Sequence, residues 1–231
     1  MRSSTAIFIK QFQDVFKNKG ALLQFVTFPI IAFVMTNFVD ERPDGMPDTI
    51  FISMFATMFI GMSMIAITSH IIAEDREKKS LRFLMMAGVK SHEYLLGVGG
   101  VLFVCVTVVS LLFVAMMPDK AMAERLIYLA SLLLGGTASI LFGAILGMLA
   151  KNEQAATSYG MTAGLLMGFG PMVAAFNYSL GRMFSIFYTM NFIYHEAAFA
   201  QIPRQLGIIS LNVAVLGVVF AWIYRKNGLR P

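Results

Sequence analysis

Long apolar segments alternate with short polar ones along the whole chain. A helix needs about 20 apolar residues to cross the hydrocarbon core of a bilayer, and five runs reach this length without an internal Lys, Arg, Asp or Glu, while a sixth lies near the C-terminus. The pattern predicts an all-α membrane protein with a single transmembrane domain, 1–231. Six transmembrane helices are expected at about residues 21–39, 49–72, 94–117, 126–150, 161–180 and 206–224.

Two further segments are apolar but are not spans. Residues 1–20 interleave aromatic and charged positions, which predicts an amphipathic helix lying in the inner membrane interface. Residues 181–205 are too apolar for a solvated loop, but Arg182, His195 and Glu196 make them a poor span. We expect an outer re-entrant helical segment there, because irregular backbone is tolerated at membrane depth only where it packs on protein or lines a cavity.

Composition and charge agree with a membrane protein and predict its orientation. The chain is 58% hydrophobic, above the roughly 45–50% of soluble domains. With the N-terminus inside, thirteen Lys and Arg fall on the inner side and five on the outer side. The positive-inside rule therefore predicts that both termini and the segment 74–91 are cytoplasmic. The net charge of +5 reflects this asymmetry, so no nucleic-acid partner is expected.

The segment 74–91 is the one densely charged run and lies between two predicted spans. We interpret it as a short amphipathic helix that begins at Glu74, with acid-first pairs Glu74–Lys78 and Asp75–Lys79. An apolar stripe at helical spacing runs beneath the charges and ends at a glycine, a common helix stop. Its members are Leu81, Leu84, Met85 and Gly88.

Small residues recur every fourth position in two predicted spans. Ser139, Gly143 and Gly147 lie in the fourth span, and Gly164 and Gly168 in the fifth. Such spacing lets helix backbones approach closely. We expect tight packing within one subunit in preference to a dedicated dimer seam.

The chain lacks the residues that catalysis or ion coupling would need. There is no G-x-x-x-x-G-K-[ST] motif and no cytoplasmic segment long enough for a nucleotide-binding domain. The three histidines are scattered, Cys105 is the single cysteine, and no predicted span carries a central charge of the kind that ion-coupled transporters use. We therefore expect no enzyme activity, metal site or cofactor in this chain, which must be passive or driven by a partner.

The order of motifs around the charged run resembles that of the type-2 ATP-binding cassette (ABC) transporter permeases. That family shows an acidic-basic run, a Gly-Thr-Leu-Glu motif, a Leu-Leu pair, Pro-Val-Ser and Glu-x-Leu-Leu-Gly-Lys. The sequence departs from it at Lys79, Arg82, Gly88 and Val98. It matches in order and spacing at Asp75-Arg76-Glu77-Lys78, Ser80-Leu81, Phe83-Leu84, Gly88-Val89 and Glu93-Tyr94-Leu95-Leu96-Gly97.

The resemblance implies a transporter of two six-span subunits, identical or different, joined to two copies of a cytoplasmic ABC ATPase that binds ATP and Mg. It also implies that 74–91 contains a coupling helix docking into an ATPase groove. The alternative is a helix that lies on anionic lipid head groups. The implied docking residues are the apolar Leu81, Phe83, Leu84, Met85 and Met86, the charged Arg76, Lys78, Lys79 and Arg82, and Gly88.

These expectations converge on the permease subunit of an ATP-driven exporter in a cell membrane, of the bacterial plasma-membrane type. The abundance of Met and Phe favours a hydrophobic or amphipathic substrate such as a peptide, a lipid-like compound or a drug. The same residues would equally suit a lipid-facing surface. An intramembrane enzyme would need convergent His, Asp or Glu in facing spans, and none is seen in the sequence. The alternative that stays open is a non-transporting membrane scaffold or immunity protein that binds a cytoplasmic partner through 74–91.

Overall fold

The computed structural model of the chain describes residues 2–38, 49–117, 121–175 and 202–227. Within these ranges the regular structure is entirely helical. A π-helical turn, Phe59–Ser63, joins α3 to α4, and a 3₁₀ turn, Gly170–Ala175, follows α8. The helices are α1 (Arg2–Lys17), α2 (Lys19–Phe38), α3 (Ile50–Met58), α4 (Met64–Glu77), α5 (Ser80–Met86), α6 (Ser91–Ala115), α7 (Met122–Leu149), α8 (Glu153–Phe169) and α9 (Ile202–Asn227).

Five helices of the described ranges are long and apolar enough to cross a membrane, and they coincide with five of the six predicted spans. The second of them runs without a break from α3 through the π turn to the end of α4. It is longer than predicted, because the charged residues Glu74 to Glu77 form its last turn. The prediction that a new helix begins at Glu74 was therefore wrong.

The remaining predicted span, 161–180, corresponds to α8 and the 3₁₀ turn. Helix α8 has 17 residues and begins at Glu153, eight residues before the predicted start of this span. Asn152 explains this start, since its side chain accepts a hydrogen bond of 2.8 Å from the N–H of Ala155 as an N-cap. Residues 176–180 and most of the predicted re-entrant segment, 181–201, lie outside the described residues. The count of six spans stays a prediction.

Glycines set the close packing at the centre of the bundle. A Cβ at Gly143 would lie 2.7 Å from the carbonyl oxygen of Ile65, and one at Gly164 would lie 2.9 Å from that of Met62. A Cβ at Gly61, inside the π turn, would lie 2.7 Å from the Cα of Gly168. The second membrane helix is thus pressed against α7 on one side and α8 on the other. This confirms that the small-residue repeats pack within one subunit.

Helix α1 packs along α6 and buries a different face from the one that its aromatic residues suggest. Ile7, Gln11 and Val15 are buried, whereas Phe12 and Phe16 are exposed and their rings are 4.5 Å apart. The ring of Phe8 packs over Gly100 of α6. Helix α1 therefore has two apolar faces, one against the protein and one free of it.

The C-terminal end of α4 defines what we call the charged end of the bundle. It is joined there by α1, the start of α6, the end of α7 and the start of α8. Helix α9 ends there as well, since the hydroxyl of Tyr224 donates to the carbonyl of Val89 over 3.4 Å.

Candidate partner-docking site

The short helix α5 lies at the charged end and carries apolar residues on two faces, one buried and one exposed. Leu81 is 1% exposed and Leu84 is partly buried against the same core. Phe83 and Met86, three residues apart on the other face, are 65% and 64% exposed. One face anchors the helix to the bundle, and the other presents an apolar surface to the exterior.

Two residues with left-handed backbone delimit α5. Lys79, before the helix, has a φ of 58°, and Gly88, after it, has a φ of 82°. The N–H of Val89 donates to the carbonyl of Leu84 over 3.0 Å, the 6→1 bond of a Schellman motif. Gly88 therefore ends the helix as predicted, since glycine adopts this conformation without a steric penalty.

The charged residues just before α5 connect helices, and Asp75 is the most buried of them. Asp75 is 4% exposed, and its carboxylate accepts three side-chain hydrogen bonds. The donors are the ammonium of Lys10 at 3.0 Å, the amide of Gln11 at 3.1 Å and the hydroxyl of Tyr94 at 2.9 Å. Asp75 thereby joins α4 to α1 and α6. The predicted Asp75–Lys79 pair is wrong, because these partners occupy the carboxylate.

Arg76 binds the end of a neighbouring helix. Its guanidinium donates to the carbonyl oxygens of Gly147 at 3.3 Å, Met148 at 2.7 Å and Ala150 at 2.6 Å. These carbonyls terminate α7, where the helix leaves acceptors unpaired and the macrodipole favours a cation. Arg76 is thus a part-buried cap of α7 and lies away from the exposed face of α5.

Glu77 performs the complementary task at the start of α8. Its carboxylate accepts from the N–H of Glu153 over 2.8 Å, at a helix N-terminus that favours an anion. Nearby, the hydroxyl of Ser69 donates to the carbonyl of Ala156 over 3.2 Å. Asp75, Arg76 and Glu77 therefore tie the end of α4 to four other helices.

The predicted pair Glu74–Lys78 is confirmed as an ion pair in the last turn of α4. The hydrogen bond to Glu74 raises the pKa of the Lys78 ammonium, which therefore remains fully charged at neutral pH. Because Lys78 is exposed, this pair contributes little to stability.

The structure divides nine of the ten predicted docking residues into two groups. The exposed group, available to a partner, contains Lys78, Lys79, Arg82, Phe83, Met86 and Gly88, and the group engaged with the bundle contains Arg76, Leu81 and Leu84. The side chain of Met85 lies outside the described residues. Docking of a partner on the exposed group stays a prediction.

Sequence reasoning missed the side chains that surround Asp75. One signal was available: Gln11 stands between Ile7 and Val15 on one helical stripe, so a polar side chain had to face the protein together with two apolar ones. Nothing in the local sequence marks Lys10 or Tyr94 as a partner of Asp75, which is 65 positions from Lys10 and 19 from Tyr94.

No metal site is formed by the His, Cys, Asp and Glu residues that the structure describes. His70 contacts the hydroxyl of Thr157 at 3.3 Å and lies 3.6 Å from the carboxylate of Glu153, which is a contact between α4 and α8. His92 is the second residue of α6, and His195 lies outside the described residues.

The fold and the charged end are those of a multi-pass helical membrane protein that carries a short helix between its second and third membrane helices. A family model described as ABC-2 family transporter protein matches residues 9–223, nearly the entire chain. The chain therefore belongs to the ABC-2 family of transporter proteins and is a membrane-embedded permease. A comparison with curated proteins gave no match. The family implies a partner ATPase subunit.

Proposed function

We propose that this permease is the membrane subunit of an ATP-driven exporter, and that its ATPase partner docks on the exposed face of α5. The observation that carries the proposal is the division of α5 into an anchored face and an exposed apolar face. An amphipathic helix presented in this way fits helix-in-groove recognition, in which apolar anchors enter a hydrophobic groove.

The two anchors in this proposal are Phe83 and Met86. Large apolar side chains exposed to solvent on a short helix are costly unless a partner or a membrane covers them. Arg82 and Lys79 flank them and are exposed, so an acidic rim on the partner groove would complement α5 and increase the association rate.

The ties at the end of α4 support a mechanical role for this helix. A force applied to α5 reaches Leu81 in the core and, through the adjacent turn of α4, the helices bound by Asp75, Arg76 and Glu77. We propose that ATP-driven closure of the ATPase dimer moves α5 and repacks the membrane helices. The site of ATP and Mg in this proposal is the partner, with one ATPase per permease and two permeases per transporter.

The orientation and the substrate belong to the same proposal. The positive-inside count supports a cytoplasmic charged end. Within the described residues the one buried acid is Asp75, at that end of the bundle, so the membrane-embedded part of the bundle offers an apolar surface that suits hydrophobic or amphipathic cargo.

The test is co-purification of the chain in mild detergent with its ATPase, comparing the wild type with Phe83→Ser/Met86→Ser. Truncating two central apolar anchors typically costs a complex more than about 1.4 kcal/mol, so we expect at least a tenfold loss of ATPase binding and a loss of transport. Met122→Ser is the matched control, because Met122 is 69% exposed and begins α7, whose other end lies at the charged end.

Wild-type ATPase binding by a folded Phe83→Ser/Met86→Ser variant would contradict docking on α5. Co-purification of a kinase or a toxin in place of an ATPase, without transport by the reconstituted complex, would favour the scaffold alternative. Transport of small polar cargo alone would overturn the substrate class while leaving the docking proposal intact.

A further inference from the structure

An apolar groove runs between α2 and α6 and includes Phe16 of α1. Its volume is about 420 Å³, within the range of roughly 300–1,000 Å³ typical of ligand sites. Every residue that lines it is apolar, including Pro29 and the single cysteine, Cys105. The groove is open to the exterior along its length, so an occupant would enter sideways from the membrane.

The length of the groove matches one leaflet of a bilayer. On α2 it extends from Leu22 to Phe33, about 17 Å at a rise of 1.5 Å per residue, and on α6 from Val104 to Met116, about 18 Å. A hydrocarbon core of about 30 Å gives about 15 Å per leaflet. The groove therefore has the dimension of a single lipid chain and does not cross the membrane.

Cations stand at one end of the groove and none lines the rest. Phe16 of α1 lines that end and is followed by Lys17. Lys19 lies three residues before Leu22, on the same face of α2. Both lysines are exposed, and neither forms an ion pair with the residues that the structure describes.

We infer that the groove holds one acyl chain of an anionic phospholipid from the leaflet next to α1, with the lipid phosphate bound by Lys17 and Lys19. An apolar groove of leaflet length with two exposed cations at its end complements a lipid with a negative head group. The inference goes beyond transport, because such a lipid would be a bound component of the permease whether or not the exported cargo is a lipid.

The test is native mass spectrometry of the full chain, with any co-purifying partner, after exposure to equal mole fractions of phosphatidylglycerol and phosphatidylcholine. We expect one retained phosphatidylglycerol per chain, at least fivefold over phosphatidylcholine. Val26→Trp fills the groove and should abolish the retention of phosphatidylglycerol. Val215→Trp is the matched control, since Val26 and Val215 are 52% and 53% exposed and Val215 lies on α9, outside the groove.

A second variant tests the binding of the lipid head group separately from that of the acyl chain. Lys17→Gln/Lys19→Gln should abolish the preference for phosphatidylglycerol, because each lysine contributes roughly fivefold to the binding of an anionic lipid. Lys151→Gln, an exposed lysine between α7 and α8, is the control and should leave the preference unchanged.

A measurement on the unmutated chain does not depend on the folding of any variant. Reaction of Cys105 with an uncharged bulky maleimide should be slower in vesicles that contain phosphatidylglycerol than in phosphatidylcholine vesicles, because the bound acyl chain covers this lining thiol. Equal labelling rates in the two lipids, or equal lipid retention by Val26→Trp and Val215→Trp, would overturn the inference. A dimer lost in Val26→Trp, with no retained lipid, would overturn it in favour of a second copy of the chain.

Discussion

Replacement of Asp75 by Asn should destabilise the permease more than replacement of the adjacent Glu74 by Gln. The carboxylate accepts from Lys10, Gln11 and Tyr94, and Asn keeps its shape but has one acceptor oxygen and turns an NH₂ group toward a donor. The Gln11 amide and the Tyr94 hydroxyl donate to the same oxygen, Oδ2, so the carbonyl oxygen of Asn can keep both buried bonds while its NH₂ group faces Lys10, the partner of Oδ1.

The cost comes from the lost charge on the acceptor. A hydrogen bond to a charged acceptor is worth about twice a neutral one, so converting the two buried bonds costs about 2 kcal/mol in total. Lys10 adds little, because its side chain is 53% exposed and can be hydrated instead. The expected total for Asp75→Asn is about 2 kcal/mol, equivalent to a fall in melting temperature of about 4–8 °C for a chain of this size.

The assay is thermal unfolding of the purified chain in one detergent, with Glu74→Gln as the control. Glu74 is adjacent in sequence but pairs with an exposed lysine, so its replacement should change the melting temperature little. Tyr94→Phe tests the assignment further: in a double-mutant cycle it should couple to Asp75→Asn by about 1 kcal/mol. Equal melting temperatures for Asp75→Asn and Glu74→Gln would refute the reasoning.

Two further predictions concern the same end of the bundle and use the same thermal assay. Gly147→Ala should cost about 1–3 kcal/mol, because its Cβ would lie 2.6 Å from the carbonyl oxygen of Ser69. Gly217→Ala is the control and should be neutral or slightly stabilising, because a Cβ there would have nothing within 4 Å. Equal effects of the two variants would contradict the packing argument. Arg76→Gln should cost about 1–3 kcal/mol by exposing the carbonyl end of α7, more than Glu77→Gln, for which about 0.3–1 kcal/mol is expected at the start of α8. The reverse order would show that the helix ends are not capped as described.

The membrane helices were predictable because the physical signal is strong and local. A run of about 20 apolar residues has few alternatives in a bilayer, and five of the six predicted spans are matched by helices of suitable length. The glycine repeats were also informative, since close approach needs small residues at fixed spacing, and Gly143 and Gly164 lie where that argument requires.

The end of α4 was not predictable from local sequence. Acidic residues followed by basic ones favour a helix start, and Glu74 and Asp75 fit that pattern. Their actual position at a helix end depends on partners distant in sequence, such as Lys10 for Asp75 and the carbonyls of α7 for Arg76. Those contacts outweigh the unfavourable interaction of an acid with a helix C-terminus, and no periodicity reveals them.

The same limit applies to α5. Its apolar stripe correctly indicated Leu81 and Leu84 as neighbours on one face, but it could not show that this face would be covered by the protein's own core. The exposed pair, Phe83 and Met86, lies at the same three-residue spacing and is equally apolar. Only the position of α5 against the bundle distinguishes the anchoring pair from the presented one.

The two left-handed residues that bracket α5 leave the connections to its neighbouring membrane helices without slack. The N–H of Lys79 bonds the carbonyl of Arg76 at 2.9 Å, and the N–H of Val89 bonds that of Leu84 at 3.0 Å. We expect the proposed docking of an ATPase on α5 to move α4 and α6 together, and lengthening either turn by a few glycines to uncouple that motion from the membrane helices while leaving Phe83 and Met86 exposed.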